Sequence, residues 1–301
     1  MHFGRVENLS GLDPRLPPDP ARTDKFLALP RRGDTRFYIG CPIWASAAWI
    51  GELYPKGTKP GQFLKAYSRV FNCVELNSSF YNLLDPTRIA HWRDETPPEF
   101  RFCPKVFRGI TEDLGAAGMP DLVSHFCDTI RHFDSRLGLT FAQFSDRFGP
   151  PQRKLLEKFL QAWPEGIPLA VELRHPGWFR EHALPDEIVN LFYRRKVVAL
   201  ITDTAGRRDV LHFSLTQPKA FVRFQGNEGV PLDEQRLHEW AKRLHKWRDH
   251  HLEEIYFFTH QPGDEKIPAT ARLAVREICG IEIPPLAKPA QQLEMLPGDS
   301  Y

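Results

Sequence analysis

The chain has 301 residues, with 40 basic against 38 acidic side chains and a net charge of +2. No one-signed field therefore marks it as a polyanion binder. Five cysteines (Cys41, Cys73, Cys103, Cys127, Cys279) form no C-x-x-C pair and are odd in number, which argues against a disulfide framework or a zinc ribbon and suits a reducing cytoplasm.

In chain order, residues 1–36 come first. They carry Pro14, Pro17, Pro18 and Pro20 and no apolar h-region, so an irregular extension without a secretory leader is expected. Eight short apolar runs follow, at residues 37–39, 73–76, 101–103, 139–144, 169–173, 197–201, 221–224 and 255–258. Their starts lie 24 to 38 residues apart, which is room for one strand, one crossover helix and two loops. The spacing predicts eight parallel strands closing into one (β/α)8 barrel over residues 37–282. Helical periodicity fills the gaps. Phe63, Leu64, Tyr67, Val70 and Phe71 share a face in residues 61–71, Leu155, Leu156, Phe159, Leu160 and Trp163 in 153–163, and Leu237, Trp240, Ala241, Leu244 and Trp247 in 233–248. These stripes are read as packing. The last segment, 283–301, contains Pro284, Pro285, Pro289 and Pro297 and is expected to be a second irregular, proline-rich arm. No apolar run is long enough to span a membrane.

Such barrels carry their chemistry at the C-terminal strand ends. Side chains alternate along a strand, so where one parity is apolar and faces the helices, the other faces the lumen. With Val74 and Leu76 outward, Glu75 and Asn77 point inward; with Val171 and Leu173 outward, so do Glu172 and Arg174. The same reasoning adds Cys103, Lys105, Gln143, Asp203, Arg223, Gln225 and His260. Burying so much charge is costly even when it is paired. A salt-bridge plug is one reading; a substrate site is the better one, because strand ends are where such barrels place function. Trp44, Trp49, Tyr54, Phe80, Tyr81 and Trp178 lie on or near the loops after the first, second and fifth runs and could wall a small-molecule pocket.

Two elements are specific. Val74-Glu75-Leu76-Asn77-Ser78-Ser79-Phe80-Tyr81 and Val171-Glu172-Leu173-Arg174-His175, together with Ile39-Gly40-Cys41-Pro42-Ile43-Trp44, Lys105, Gln143, Trp178, Asp203 and Val222-Arg223, resemble the YecE-like family over about residues 37–280. The resemblance implies a TIM barrel and no established activity. The chain departs from the family pattern in two places: Pro42-Ile43-Trp44 after the first strand, and Thr259-His260-Gln261 after the last.

From the residues themselves we expect an enzyme acting on a small anionic, hydroxylated metabolite such as a sugar phosphate or sugar acid. Lys105, Arg174 and Arg223 would hold the anion, and Asn77, Tyr81, Gln143, Trp178 and Trp44 would complete the binding surface. Glu172 is the leading general acid or base with Glu75 as its partner, and His175 or Asp203 could replace either. Isomerisation, hydrolysis and lyase chemistry all remain open. No cofactor is called for. Glu75, Glu172, Asp203, His175 and His260 could in principle gather a divalent metal, but the cations compete for the carboxylates and no H-x-x-E or H-x-H spacing appears. Cys41 serves better as a small buried hydrophobe than as a nucleophile. Alternatives of another class are a nucleic-acid-acting barrel, to which Arg31, Arg32, Arg36, Arg194, Arg195 and Lys196 would contribute, and a non-catalytic ligand-binding protein.

Overall fold

The computed structural model describes residues 4, 6, 8, 9, 11–31 and 33–283. The eight runs are β1 (Arg36–Cys41), β2 (Cys73–Leu76), β3 (Arg101–Pro104), β4 (Thr140–Gln143), β5 (Leu169–Glu172), β6 (Val197–Thr204), β7 (Lys219–Gln225) and β8 (Glu254–His260). They form one sheet in the order β3-β2-β1-β8-β7-β6-β5-β4, and every named pairing is parallel. The ring comes nearly shut between β3 and β4 through single bridges, Phe102 to Leu137 and Lys105 to Phe141. There Gly138 N donates to Phe102 O (2.7 Å) and Val106 N to Phe141 O (2.9 Å). The fold is a (β/α)8 TIM barrel, as the spacing predicts.

Ten α-helices lie among the described residues: α1 (Ala21–Leu27), α2 (Phe63–Tyr67), α3 (Ser78–Tyr81), α4 (Pro86–Asp94), α5 (Arg108–Thr111), α6 (Met119–Ile130), α7 (Arg153–Ala162), α8 (Asp186–Arg194), α9 (Pro231–Arg248) and α10 (Ile267–Cys279). The periodic segments 153–163 and 233–248 match α7 and α9 closely. Segment 61–71 is α-helical only over α2, after a tight turn at Pro60–Gln62. The chain there must swing into β2, and Asn72 fixes that entry by bonding Phe37 O (2.7 Å) and Ile39 N (2.9 Å). No helix of the described residues is long and apolar enough to cross a membrane.

The N-terminal extension is less irregular than its prolines suggest. None falls between Pro20 and Pro30, and that proline-free stretch forms α1, which buries Thr23 and Leu27. Asp19, with its side chain fully covered, takes Arg243 (2.7 Å) and Lys246 (2.8 Å) of α9. Nearer the start, Gly4 O accepts from Gly206 N (2.8 Å) and Thr204 Oγ1 (2.9 Å), and Val6 exchanges bonds with Asn227. The extension thus reaches the loops that leave β6 and β7. Of the expected C-terminal arm only Ile283 belongs to the described residues.

Strand parity splits the core in two. Tyr38, Cys73, Cys103, Leu139, Phe141, Ala170, Val198, Leu200, Phe221, Tyr256 and Phe258 fill the lumen. The alternate positions, among them Ile39, Cys41, Val74, Leu76, Val171, Ala199, Ile201, Val222 and Phe257, meet the helices. Aromatic rings fill the lumen, with Phe141 of β4 5.5 Å across from Phe221 of β7, and Phe221 5.0 Å from Phe258 of the neighbouring β8, between ring centres. This is a solid floor, and the site lies above it.

Candidate functional site

One inward step beyond that floor the side chains become polar. Glu75, Lys105, Gln143, Glu172, Arg223 and His260 extend from or just past their strands into one layer, and Arg223 lies over the Phe141 ring at 5.4 Å. Arg223 is the hub. Its Nε and Nη2 donate to the two oxygens of Glu75 (2.8 and 3.2 Å), and its Nη1 donates to Glu172 Oε2 (3.0 Å). Glu172 also accepts from Arg174 Nε and from Gln143 Nε2 (2.7 Å). Gln143 in turn takes a bond from Lys105 Nζ (2.9 Å) through its Oε1. The Lys105 ammonium sits 4.1 Å above the centre of the Phe80 ring. His260 Nε2 lies 3.1 Å from Glu75 Oε2, and Asn77 Nδ2 reaches the same oxygen (3.5 Å) and Pro42 O (3.1 Å).

These contacts set the charge states. Burial pushes the Glu172 carboxyl up, but the charges of Arg174 and Arg223 and the bonds it accepts reverse this and leave it at about 2. Burial opposes ionisation of Glu75 in the same way; Arg223 and His260 overcome it and hold the group well below the ordinary carboxylate range. Lys105 moves the other way. Burial and the nearby Arg223 charge bring its ammonium down to about 8, against the pull of Glu172. Burial also lowers the His260 imidazole despite Glu75 beside it. The layer therefore holds two firm carboxylates, two firm guanidinium groups and two softer bases.

Above the layer opens a cavity of about 310 Å³, lined by Asn77, Phe80, Tyr81, Lys105, Gln143, Arg174, Thr204, Arg223, Gln225, Gly226, His260, Gln261 and Pro262. Glu75 and Glu172 are not in that lining. They lie beneath the cations, so a visitor would meet the positive heads first. At the rim, a Cβ on Gly226 would stand 2.1 Å from Gln261 Nε2, so a larger residue there would displace the Gln261 side chain.

The structure brings together Glu75, Asn77, Tyr81, Lys105, Gln143, Glu172, Arg174 and Arg223, and it places six other expected residues elsewhere. Asp203 belongs to the outward parity of β6 with Val197, Ala199 and Ile201. Its carboxylate accepts from Arg208 Nη1 (2.6 Å), Arg236 Nη2 (3.0 Å) and Trp240 Nε1 (2.7 Å), so it joins β6 to α9 instead of facing the lumen. His175 turns onto its own loop, where its Nδ1 accepts from Gly177 N (2.9 Å). Trp178 is packed on Phe148 and donates to Phe148 O (2.7 Å). Trp44 sits edge-on to Trp92. Trp49 and Tyr54 are core residues.

With Asp203 and His175 displaced and the two glutamates tied to arginine, no three His, Cys, Asp or Glu side chains among the described residues converge to hold a metal ion. Cys41 faces the helices, and burial drives its thiol up to about 12. The basic clusters also lie apart from the cavity. Arg31 pairs with Asp34 and Arg36 with Glu254. Arg194, Arg195 and Lys196 precede β6 and so mark the opposite end of the barrel. Arg32 lies outside the described residues.

Sequence reasoning missed Thr204, Gln261 and Pro262. Thr204 points inward with Val198 and Leu200, a parity that the doubly buried β6 does not show in its sequence. Gln261 and Pro262 come after β8, where alternation ends and no pattern predicts direction.

A family model described as "Protein of unknown function DUF72" matches residues 38–292. The UPF0759 protein YecE of Escherichia coli is 29% identical over 249 residues, covering 77% of this chain and 88% of that protein. Among solved structures, a DUF72 family protein of Thermotoga maritima superposes with a TM-score of 0.64 at 25% identity, over 81% of this chain and 99% of that one. Another from Enterococcus faecalis does so with a TM-score of 0.68 at 18% identity, over 84% and 98%.

Proposed function

The chain belongs to the DUF72 family, and from that premise we propose that it is an enzyme acting on a small anionic, hydroxylated metabolite, a sugar phosphate or sugar acid, in the cavity above the charged layer. One observation carries this reading: Lys105, Arg174 and Arg223 line the cavity while the carboxylates that pair with the arginines lie under it. Three cations stand over two carboxylates, and the surplus charge faces a metabolite-sized space. A plug made only for stability would be better served by apolar side chains.

In this reading Glu75 and Glu172 hold the arginine heads in place. Glu172 reaches the cavity only through Gln143, Arg174 and Arg223, so the proton-transfer role moves from it to Lys105 and His260, which line the space and whose charged forms burial disfavours. Asn77, Tyr81, Gln225 and Gln261 supply donors and acceptors for hydroxyl groups. Hydrolysis, isomerisation and lyase chemistry are all compatible with this set.

A thermal-shift screen of sugar phosphates and sugar acids tests the reading. A ligand at about a hundred times its Kd adds about 2.7 kcal/mol of stability, which is a shift of several degrees. Arg174→Gln should lose most of that shift for the same compound. If no anionic metabolite raises the midpoint, or if the variant responds as the parent does, the reading is wrong.

A further inference from the structure

The cations of the charged layer are not equivalent. Arg174 and Arg223 are each held to glutamate. Lys105 is only 6% exposed, yet its Nζ forms no salt bridge among the described residues; its one hydrogen bond runs to the neutral Gln143 amide (2.9 Å). The face of the Phe80 ring lies under it at 4.1 Å, a cation–π contact that supplies no counter-charge, and the cavity lies beside it. As an anion holder this arrangement is poor, since a buried ammonium gains most from a carboxylate and has none. As a nucleophile it is good, because desolvation and neighbouring cations favour the neutral amine, the form with a lone pair to give.

We infer that Lys105 is a covalent nucleophile that forms a Schiff base with a carbonyl-bearing anionic substrate, a small phosphorylated or carboxylated ketone or aldehyde. The inference rests on the proposed function, because Arg174 and Arg223 must hold the anionic end while the carbonyl carbon approaches Nζ.

In the first step the Nζ lone pair bonds to the carbonyl carbon and the C=O π pair moves to oxygen. The two protons of the amine then leave with that oxygen as one water, and a C=N bond replaces the C=O bond. Protonation of the imine nitrogen from solvent gives an iminium that can draw electrons from an adjacent C–C or C–H bond. Among the open reaction types this selects carbon–carbon cleavage or proton abstraction next to the carbonyl, that is, lyase or isomerase chemistry. The Lys105 ammonium titrates at about 8, so a sizeable neutral fraction exists near neutrality and imine formation should accelerate as pH rises through that value.

The experiment is reductive trapping. The full chain is incubated with dihydroxyacetone phosphate or with pyruvate in sodium cyanoborohydride, whose hydride reduces an iminium to a stable secondary amine, and the labelled peptide is identified by mass spectrometry. Glycerol 3-phosphate, which has the anion but no carbonyl, serves as competitor, and its own binding is measured by calorimetry. We expect one adduct, on Lys105, suppressed by excess glycerol 3-phosphate and absent from Lys105→Met. Lys105→Arg, which keeps the charge and lacks the nucleophile, should still bind glycerol 3-phosphate and form no adduct. If glycerol 3-phosphate binds but neither carbonyl compound is trapped, or if labelling falls on other lysines, the covalent role is overturned and the anion pocket stands. If nothing binds and nothing is trapped, both are overturned.

Discussion

Glu172 accepts bonds from Gln143, Arg174 and Arg223 at once. Glu172→Gln keeps the shape and removes the charge, leaving two buried guanidinium groups short of a partner. Breaking a buried pair from one side costs about 3–5 kcal/mol, so the variant should melt well below the parent at pH 7. The pH dependence follows from the depressed carboxyl. Its ordinary value is 4.5 and its folded value about 2, so its contribution is complete above 4.5 and fades as pH falls from there toward 2. The gap in melting temperature between parent and variant should therefore narrow over that interval. A gap unchanged down to pH 3 would mean that Glu172 is not held as an ion. Glu75, Glu172 and Arg174 were legible in the sequence because Val74, Leu76, Val171 and Leu173 fix the parity, and Arg223 because Val222 and Phe224 flank it. Asp203 was not, since β6 is buried on both faces and its sequence carries no alternation. Which face holds the charge was decided by Arg236 and Trp240, more than thirty residues further on.

Among the elements, β6 and α9 are joined by that misjudged group. Arg236 is itself buried, bonding Asp203 through Nη2 and Asp233 through Nη1 (3.2 Å) and lying 4.4 Å over the Phe224 ring. Asp203→Asn should thus destabilise the protein by about 3–5 kcal/mol while leaving ligand binding in the folded protein unchanged, because its side chain faces away from the cavity. Equilibrium urea unfolding and a binding titration on the same variant check both halves. A variant that kept its stability and lost binding would return Asp203 to the site. The strands themselves were readable to within a few residues, since each is a compact apolar run between polar loops. Helix α1 was not, because the prolines before it dominate the composition of the extension, whereas its burial depends on contacts such as that of Thr23 with Phe213 (2.7 Å), far along the chain.

At the scale of the whole molecule, the regular interval between runs was enough to give the barrel, because few other folds repeat one strand and one crossover eight times. It could not show how evenly the ring is sealed. Pairing between β7 and β8 runs unbroken from Lys219–Glu254 to Gln225–His260, whereas β3 and β4 meet at isolated bridges. A ring of unequal joints opens first at its weakest, and local openings cost far less than global unfolding. The amides of Val106 and Gly138 should accordingly exchange with deuterium well before those of Val222 and Phe257. Lys105 stands on that loose edge, next to Val106, and Arg174 on the firmer side beyond β5. A metabolite held between the two would act as a clasp across the gap. Its binding should slow exchange at Val106 and Gly138 most, and equal protection all round the ring would mean that it sits somewhere else.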